Sequence, residues 1–157
     1  MKWTMDKKTI QELIDRYVSV SFDVNKKAES LIKNQIEEDL TIDQHYLIGY
    51  IQKSNECTSS ELAEAFGVNK SAITAIINRL ADRGLIDRTR DENDRRVVYL
   101  TLSEKGKELL QKTQEKVHLL VETIITKFDE TEITNFINTY EKLALILTNM
   151  KKEEMGE

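Results

Sequence analysis

A mainly helical fold, with one short β-hairpin set between two long helical ends, follows from three features of the sequence. The 157 residues contain no proline and only five glycines. Proline in a helix interior costs about 3 kcal/mol, so long unbroken helices are open to this chain. Apolar residues recur at three- and four-residue spacing near both ends, the mark of helices with one buried face. Between those ends, residues 58–102 change rhythm twice, from helical spacing to a tight turn and then to strict alternation. The length suits one domain with a real core, or two small units sharing one.

Residues 1–5 lack periodicity and are expected to fray, with Trp3 available to dock on a partner subunit. From Asp6 to about Glu37, Ile10, Leu13, Ile14, Tyr17, Val18, Phe22, Val24, Ala28, Leu31, Ile32 and Ile36 trace one long amphipathic helix. Thr41-Ile42-Asp43-Gln44 opens a second helix, running to about Lys53 with Tyr46, Leu47, Tyr50 and Ile51 inward. Ser54-Asn55-Glu56 is a turn.

Thr58 stands three residues before Glu61, a spacing at which each side chain satisfies a free N–H at a helix start. Leu62, Ala63 and Phe66 supply the buried stripe of that short helix, and Gly67 ends it in a left-handed residue. Asn69 caps the next helix, with Ile73, Ile76, Ile77 and Leu80 inward. Its outer face carries Lys70, Ser71, Thr74, Asn78 and Arg79. Such a face, on a helix braced by a short preceding one, suits the major groove of DNA; a solvated helical hairpin of no such function is the plainer reading. Leu85–Arg90 and Val97–Leu102 then alternate as a hairpin around the polar tip Asp91-Glu92-Asn93-Asp94-Arg95-Arg96. This hairpin is a wing with Arg88, Arg90, Arg95 and Arg96 at its tip and base.

Ser103 caps another long helix bearing Leu109, Leu110, Val117, Leu120, Val121, Ile124 and Ile125. Asp129 and Glu132 repeat the capping-box spacing before a last helix with Ile133, Phe136, Ile137, Tyr140, Leu143, Ala144, Leu147 and Met150 inward. Residues 151–157 are expected to form a disordered tail. The organisation is therefore a helical region from residues 1–38 and 103–150 around a winged helix-turn-helix at 39–102. The terminal stripes exceed what one subunit can bury, which points to a two-fold homodimer.

The net charge of −5 argues against a nucleic-acid partner until its distribution is considered. Between residues 70 and 96, Lys70, Arg79, Arg83, Arg88, Arg90, Arg95 and Arg96 face Asp82, Asp87, Asp91, Glu92 and Asp94, a local positive excess. No apolar run approaches the roughly 20 residues of a membrane span, and the N-terminus does not read as a signal peptide. The single Cys57 cannot form an internal disulfide, so a cytoplasmic protein is expected. No glycine-rich phosphate loop and no His/Cys/carboxylate cluster at metal spacing is present. Neither an enzyme nor a bound cofactor is expected.

On Ser71-Ala72-Ile73-Thr74, Asn78-Arg79-Leu80, Arg83-Gly84-Leu85-Ile86, Arg88, Asp94-Arg95-Arg96 and Leu102-Ser103-Glu104-Lys105-Gly106, the chain resembles the MarR family of transcriptional regulators. The Asp-x-Arg wing followed by Leu-Ser-x-x-Gly is specific, because its spacing sets both the wing tip and the next helix start. The resemblance covers nearly the whole chain. Ala75 departs from it, standing where many relatives carry a longer DNA-contacting side chain.

The resemblance implies a homodimeric, ligand-responsive repressor on an inverted-repeat DNA operator. Lys70, Ser71, Thr74, Asn78, Arg79, Arg88, Asp94, Arg95 and Arg96 would be its contact residues, with Thr74 and Asn78 meeting base edges. It implies, too, that Asp94 holds the Arg96 guanidinium in a forked bond for the minor groove. A small-molecule effector would lodge near Tyr17, His45, Tyr46 and Tyr50, between the first two helices. Metal sensing through His45 and His118 is an alternative. So is oxidant sensing at Cys57, although peroxide-sensing relatives carry their cysteine at the start of the first helix. Cys57 lies beside a helix N-terminus, which lowers a thiol pKa, but a buried inert thiol is the expected state. A third alternative, from another class, is a protein-interaction module that has lost DNA binding.

Overall fold

The computed structural model describes residues 4–156, so Trp3 lies outside the described residues. Six helices and two strands follow in order: α1 (Lys7–Ile36), α2 (Ile42–Ser54), α3 (Ser59–Phe66), α4 (Lys70–Asp82), β1 (Ile86–Arg90), β2 (Val98–Leu102), α5 (Glu104–Ile125) and α6 (Glu130–Met155). The chain divides into a unit ending at Val117 and a second beginning at His118.

Local capping explains most helix starts. Asp6 accepts from Thr9 N–H at α1, while Thr41/Gln44 and Thr58/Glu61 form complete capping boxes at α2 and α3. Replacing such a cap by alanine typically costs about 1 kcal/mol. At α6 the box is only half formed: Asp129 accepts from Glu132 N–H, but Glu132 is not paired back. The left-handed turn after α3 falls on Gly67, at φ 62°. Asn55 reaches φ 63° after α2, a conformation Asn tolerates better than most residues.

In the first unit, α2, α3, α4, the hairpin and the start of α5 enclose one core. It contains Leu47, Ile48, Ile51, Leu62, Ile73, Ile77, Leu80, Leu85, Leu100, Leu102 and Leu110. Ile76, expected inside, is only half-buried against this cluster. β1 and β2 pair antiparallel from Ile86↔Leu102 to Arg90↔Val98. Each strand starts one residue later than expected, because Leu85 N–H still bonds back to the Leu80 carbonyl and Val97 N–H closes the tip on Asp94. Cys57 adds an isolated antiparallel bridge to β2, exchanging backbone bonds of 3.2 and 2.8 Å with Leu100.

The inward face of α2 differs from expectation. Gln44, His45, Leu47, Ile48 and Ile51 are buried, while Tyr46 and Tyr50 are 49% and 37% exposed. Two polar residues turn inward because they find partners there. Gln44 closes the capping box with Thr41 and accepts from Arg83. His45 Nδ1 lies 3.0 Å from Thr113 Oγ1, on α5. That hydroxyl is itself within 3.1 Å of the Leu109 and Leu110 carbonyls. With Thr113 donating to a carbonyl, the imidazole donates from Nδ1.

The second correction concerns the C-terminus. Residues 151–155, expected as disordered tail, continue α6, and Gly156 caps it at φ 73° with its N–H toward the Glu153 and Lys152 carbonyls. Lys151, Lys152, Glu153 and Glu154 are all good helix formers, so nothing stops the helix before glycine. No described residue of α6 is buried in the single chain.

The junction of wing and α5 is the tightest place in the first unit. Ser103 N–H donates to the Leu85 carbonyl at 3.1 Å, and Ser103 Oγ donates to the Gly84 carbonyl at 2.6 Å while accepting from Gly106 N–H at 3.0 Å. A Cβ on Gly106 would lie 2.0 Å from the Leu85 carbonyl oxygen. Gly106→Ala is therefore expected to destabilise the fold by about 1–3 kcal/mol, the usual range for forced overpacking, read as a drop in the urea midpoint. An unchanged midpoint would mean that α5 shifts freely at its start.

Burial lowers the His45 pKa from its ordinary value. The neutral ring is favoured in the folded state, so its contribution is complete above the unfolded pKa of about 6.5. It is lost as pH falls from there toward the depressed folded value. His45→Gln should accordingly lose less stability than wild type between pH 7 and pH 5 in denaturant titrations. Equal losses would remove His45 as the source.

Candidate nucleic-acid interface

The outer face of α4 begins at its cap. Asn69 Oδ1 accepts from Ala72 N–H at 2.9 Å and from Ser71 Oγ at 2.8 Å. Thr74 Oγ1 donates to the Lys70 carbonyl one turn back, at 2.8 Å. Both hydroxyl protons are thus engaged within the helix. Thr74 offers outward a methyl group and oxygen lone pairs, which fit a thymine methyl or a cytosine amino group. Lys70, Ser71, Thr74, Asn78 and Arg79 are all exposed, as is Ala75.

Strand β1 extends this surface. Alternation places Ile86, Arg88 and Arg90 on one face, and each has a different neighbour. Ile86 enters the core, Arg88 Nη2 donates to Asn78 Oδ1 on α4, and Arg90 Nη1 donates to the Arg95 carbonyl at 3.0 Å. One strand face thus runs from the core to the outer helix to the wing tip. Asn78, expected at a base edge, has its carbonyl turned to Arg88.

The wing tip is a small built structure. Asp91 Oδ1 accepts from Asn93 and Asp94 N–H at 2.8 and 2.9 Å, and Asp91 N–H bonds the Val97 carbonyl. This Asx-type turn aims Asp94. Its Oδ1 accepts from Arg96 N–H and Nε at 3.1 Å each, and its Oδ2 accepts from Arg96 Nη2 at 3.2 Å. Arg96 and the backbone bond hold the Asp94 carboxyl below its ordinary pKa. The Arg96 side chain is 91% exposed. An exposed, carboxylate-forked guanidinium thus stands at the outer edge of the wing.

Not every cation of the local excess faces outward. Arg83 donates to the Asp39 carbonyl at 2.6 Å and to Gln44 Oε1 at 3.3 Å, and Lys105 Nζ donates to the Arg83 carbonyl. Arg83 is thus a brace between the end of α4 and the start of α2. The long sequence separation to Asp39 hid that role. Arg90 likewise braces the tip. Lys70, Arg79 and Arg95 form no side-chain ion pair among the described residues.

The candidate effector residues are less closely gathered. Tyr17 is 53% exposed on α1. Tyr46 is tilted against His45, and Tyr50 meets Phe66 edge-on with ring centroids 6.0 Å apart. His118 is exposed and belongs to the second unit. No group of three His, Cys, Asp or Glu able to hold a metal occurs among the described residues. Cys57 is buried, and burial, aided by the Glu61 charge, pushes its thiol up to about 11. Burial outweighs the helix start beside it, which leaves an unreactive thiol at neutral pH.

A model of the MarR family matches residues 38–97, the span from the α1–α2 connection to the wing tip. Over that stretch the chain is similar to the MarR family. Among curated proteins it is similar to the HTH-type transcriptional repressor MdtR of Bacillus subtilis, 24% identical over 145 residues that cover 92% of this chain and 94% of that one. Among solved structures it is similar to FabT of Streptococcus pneumoniae in complex with DNA. That likeness has a TM-score of 0.71 and 27% identity, covering 90% of this chain and 99% of FabT. A MepR-like protein complexed with pseudoligands matches at a TM-score of 0.60 and 28% identity, over 85% and 95% of the two chains. The expected winged-helix fold is the observed one. No described helix is long and apolar enough to cross a membrane.

Proposed function

We propose that this protein is a homodimeric, sequence-specific regulator of transcription of the MarR family, a ligand-responsive repressor that binds an inverted-repeat operator in double-stranded DNA. The observation that carries DNA binding is the exposed Asp94–Arg96 fork. An arginine side chain gives up roughly 2 kcal/mol of rotamer entropy when immobilised; the fork restrains it before contact. Extended from a wing, it suits a narrow, strongly negative minor groove. Across the same surface, the small residues Ser71 and Thr74 let α4 approach base edges, with Lys70 and Arg79 near the backbone. The similarity to a relative solved on DNA supports the reading.

Dimerisation rests on two uncovered faces. On α1, Leu13, Ile14, Tyr17, Val18 and Phe22 are 41–63% exposed. On α6, Phe136, Ile137, Tyr140, Leu147 and Met150 are 39–55% exposed. Apolar faces of that extent need cover, and a second copy of the same chain brings the same faces in two-fold arrangement. Residues 1–38 and 103–150 form the dimerisation region in this reading, and residues 39–102 the DNA-binding one.

Duplexes selected by the protein from a random pool, then footprinted, should show two symmetric half-sites about 34 Å apart, one turn of DNA. Enrichment of no sequence would end the proposal in favour of an interaction module. On the selected duplex, Arg96→Ala should leave the melting temperature unchanged and weaken binding by about 1.5–3 kcal/mol, the worth of charged hydrogen bonds. Asp94→Ala should do so more mildly. Arg96→Lys should recover little, because an ammonium lacks the planar fork. Binding by Arg96→Ala at wild-type strength would remove the wing from DNA recognition.

The effector would act between α1 and α2, against Tyr46 and Tyr50, by binding one dimer shape better than the other. The similarity to a structure holding pseudoligands supports this. A small phenolic acid should release wild-type protein from the selected duplex, and Tyr50→Ala should raise the concentration required. Release unaffected by that substitution would place the effector elsewhere.

A further inference from the structure

We propose that Asn78 is a positioning residue acting through Arg88. It sets the Arg88 guanidinium against a phosphate on the wall of the major groove and reads no base itself. The inference rests on the DNA-binding reading and deepens it.

The contact between Arg88 Nη2 and Asn78 Oδ1 joins β1 to α4 across the exposed side of the molecule. A guanidinium only donates, so the contact decides which way the Asn78 amide faces: its carbonyl must point to Arg88. An asparagine that reads adenine needs that same carbonyl for the base's amino group, while its NH₂ donates to N7. The observed pose commits one of the two Oδ1 lone pairs to Arg88 and sets the direction of the amide, so Asn78 serves the guanidinium first.

Arg88 gains what Asn78 gives up. It has five N–H donors, and Nη2 has engaged one with Asn78, leaving the others on an exposed side chain. Its root is held firmly. The Arg88 backbone pairs with Leu100 in the β1–β2 ladder, Ile86 on the same strand face is in the core, and Arg90 is tied to the Arg95 carbonyl. Arg88 is therefore the one cation of this strand face that points to α4.

Its place on the strand decides the kind of acceptor it meets. Base edges form the floor of a groove about 8.5 Å deep, within reach of side chains on the inserted helix. A group lateral to that helix meets the groove wall, which is phosphate. Phosphate contacts set register and orientation without carrying sequence information. The Asn78–Arg88 bond would then fix the distance between α4 and one DNA strand. As an exposed pair it contributes little to folding stability, so its main effect falls on binding.

The test uses the full chain as wild type, Asn78→Ala, Arg88→Ala and the double variant. Each is measured on the duplex that wild type selects and on a scrambled duplex, across a salt series, with thermal melts alongside. Arg88→Ala should weaken both duplexes about tenfold and reduce the salt slope by about one unit. Asn78→Ala should weaken both several-fold, select the same motif again, and add nothing in the Arg88→Ala background. All melting temperatures should match wild type. Additive losses, a relaxed preference at one base pair in Asn78→Ala, or full binding by Arg88→Ala would overturn the proposal while leaving DNA binding intact. If wild type selects no duplex, the DNA-binding reading fails, and this inference with it.

Discussion

The approach of Gly106 to the Leu85 carbonyl governs the rest of the first unit. A side chain at Gly106 would force the backbone to shift, because its Cβ would sit 2.0 Å from that oxygen. The same carbonyl accepts from Ser103 N–H, and Ser103 Oγ closes on the Gly84 carbonyl and the Gly106 N–H. Three elements meet there: the turn after α4, the end of β2 and the start of α5. Interiors pack at crystal-like density and deform little. The outer face of α4 and the wing are therefore held to the start of α5 with little freedom, and a wing borne this way can present Arg96 at a defined place.

The charge pattern makes sense only after counting which cations are engaged. The chain carries a net −5, and its local positive excess looks modest. Arg83 is directed at the Asp39 carbonyl and Gln44, and Lys112 and Lys116 converge on the Asp39 carboxylate, at 3.1 and 3.2 Å. Those two lysines hold Asp39 below its ordinary pKa. The α1–α2 connection is thus tied to both α4 and α5 through one residue's backbone and side chain. The outward cations are Lys70, Arg79, Arg88, Arg95 and Arg96, concentrated on the α4–wing surface. Acidic surroundings elsewhere repel a polyanion, so the distribution orients an encounter more than the net charge opposes it.

How far the site was legible follows from the range of the interactions that build it. Asp94 and Arg96 lie two residues apart, and the fork expected from the resemblance is the one observed. Thr58 with Glu61 and Thr41 with Gln44 cap their helices locally. Asn78 and Arg88 are separated by a helix end and a turn, and their bond could not be read from spacing. Arg83 and Asp39, 44 residues apart, were further still from view. Apolarity alone points Tyr46 and Tyr50 inward, yet Gln44 and His45 occupy the buried positions.

By itself, the sequence determined the elements: caps, glycine stops and apolar periodicity are contacts within a few residues, and they act before any tertiary structure exists. It also determined the wing tip, whose turn and fork close within residues 91–97. The tertiary structure alone decided which rotation of α2 faces the core, because a buried imidazole is tolerated only beside Thr113, 68 residues away. It decided the Cys57–Leu100 bridge, for which a single residue gives no periodic signal. It also decided the partners of Arg83, Arg88 and Arg90. A cation has the same charge in any sequence, but its partner depends on which backbone carbonyls and amides the fold brings within 3 Å or so.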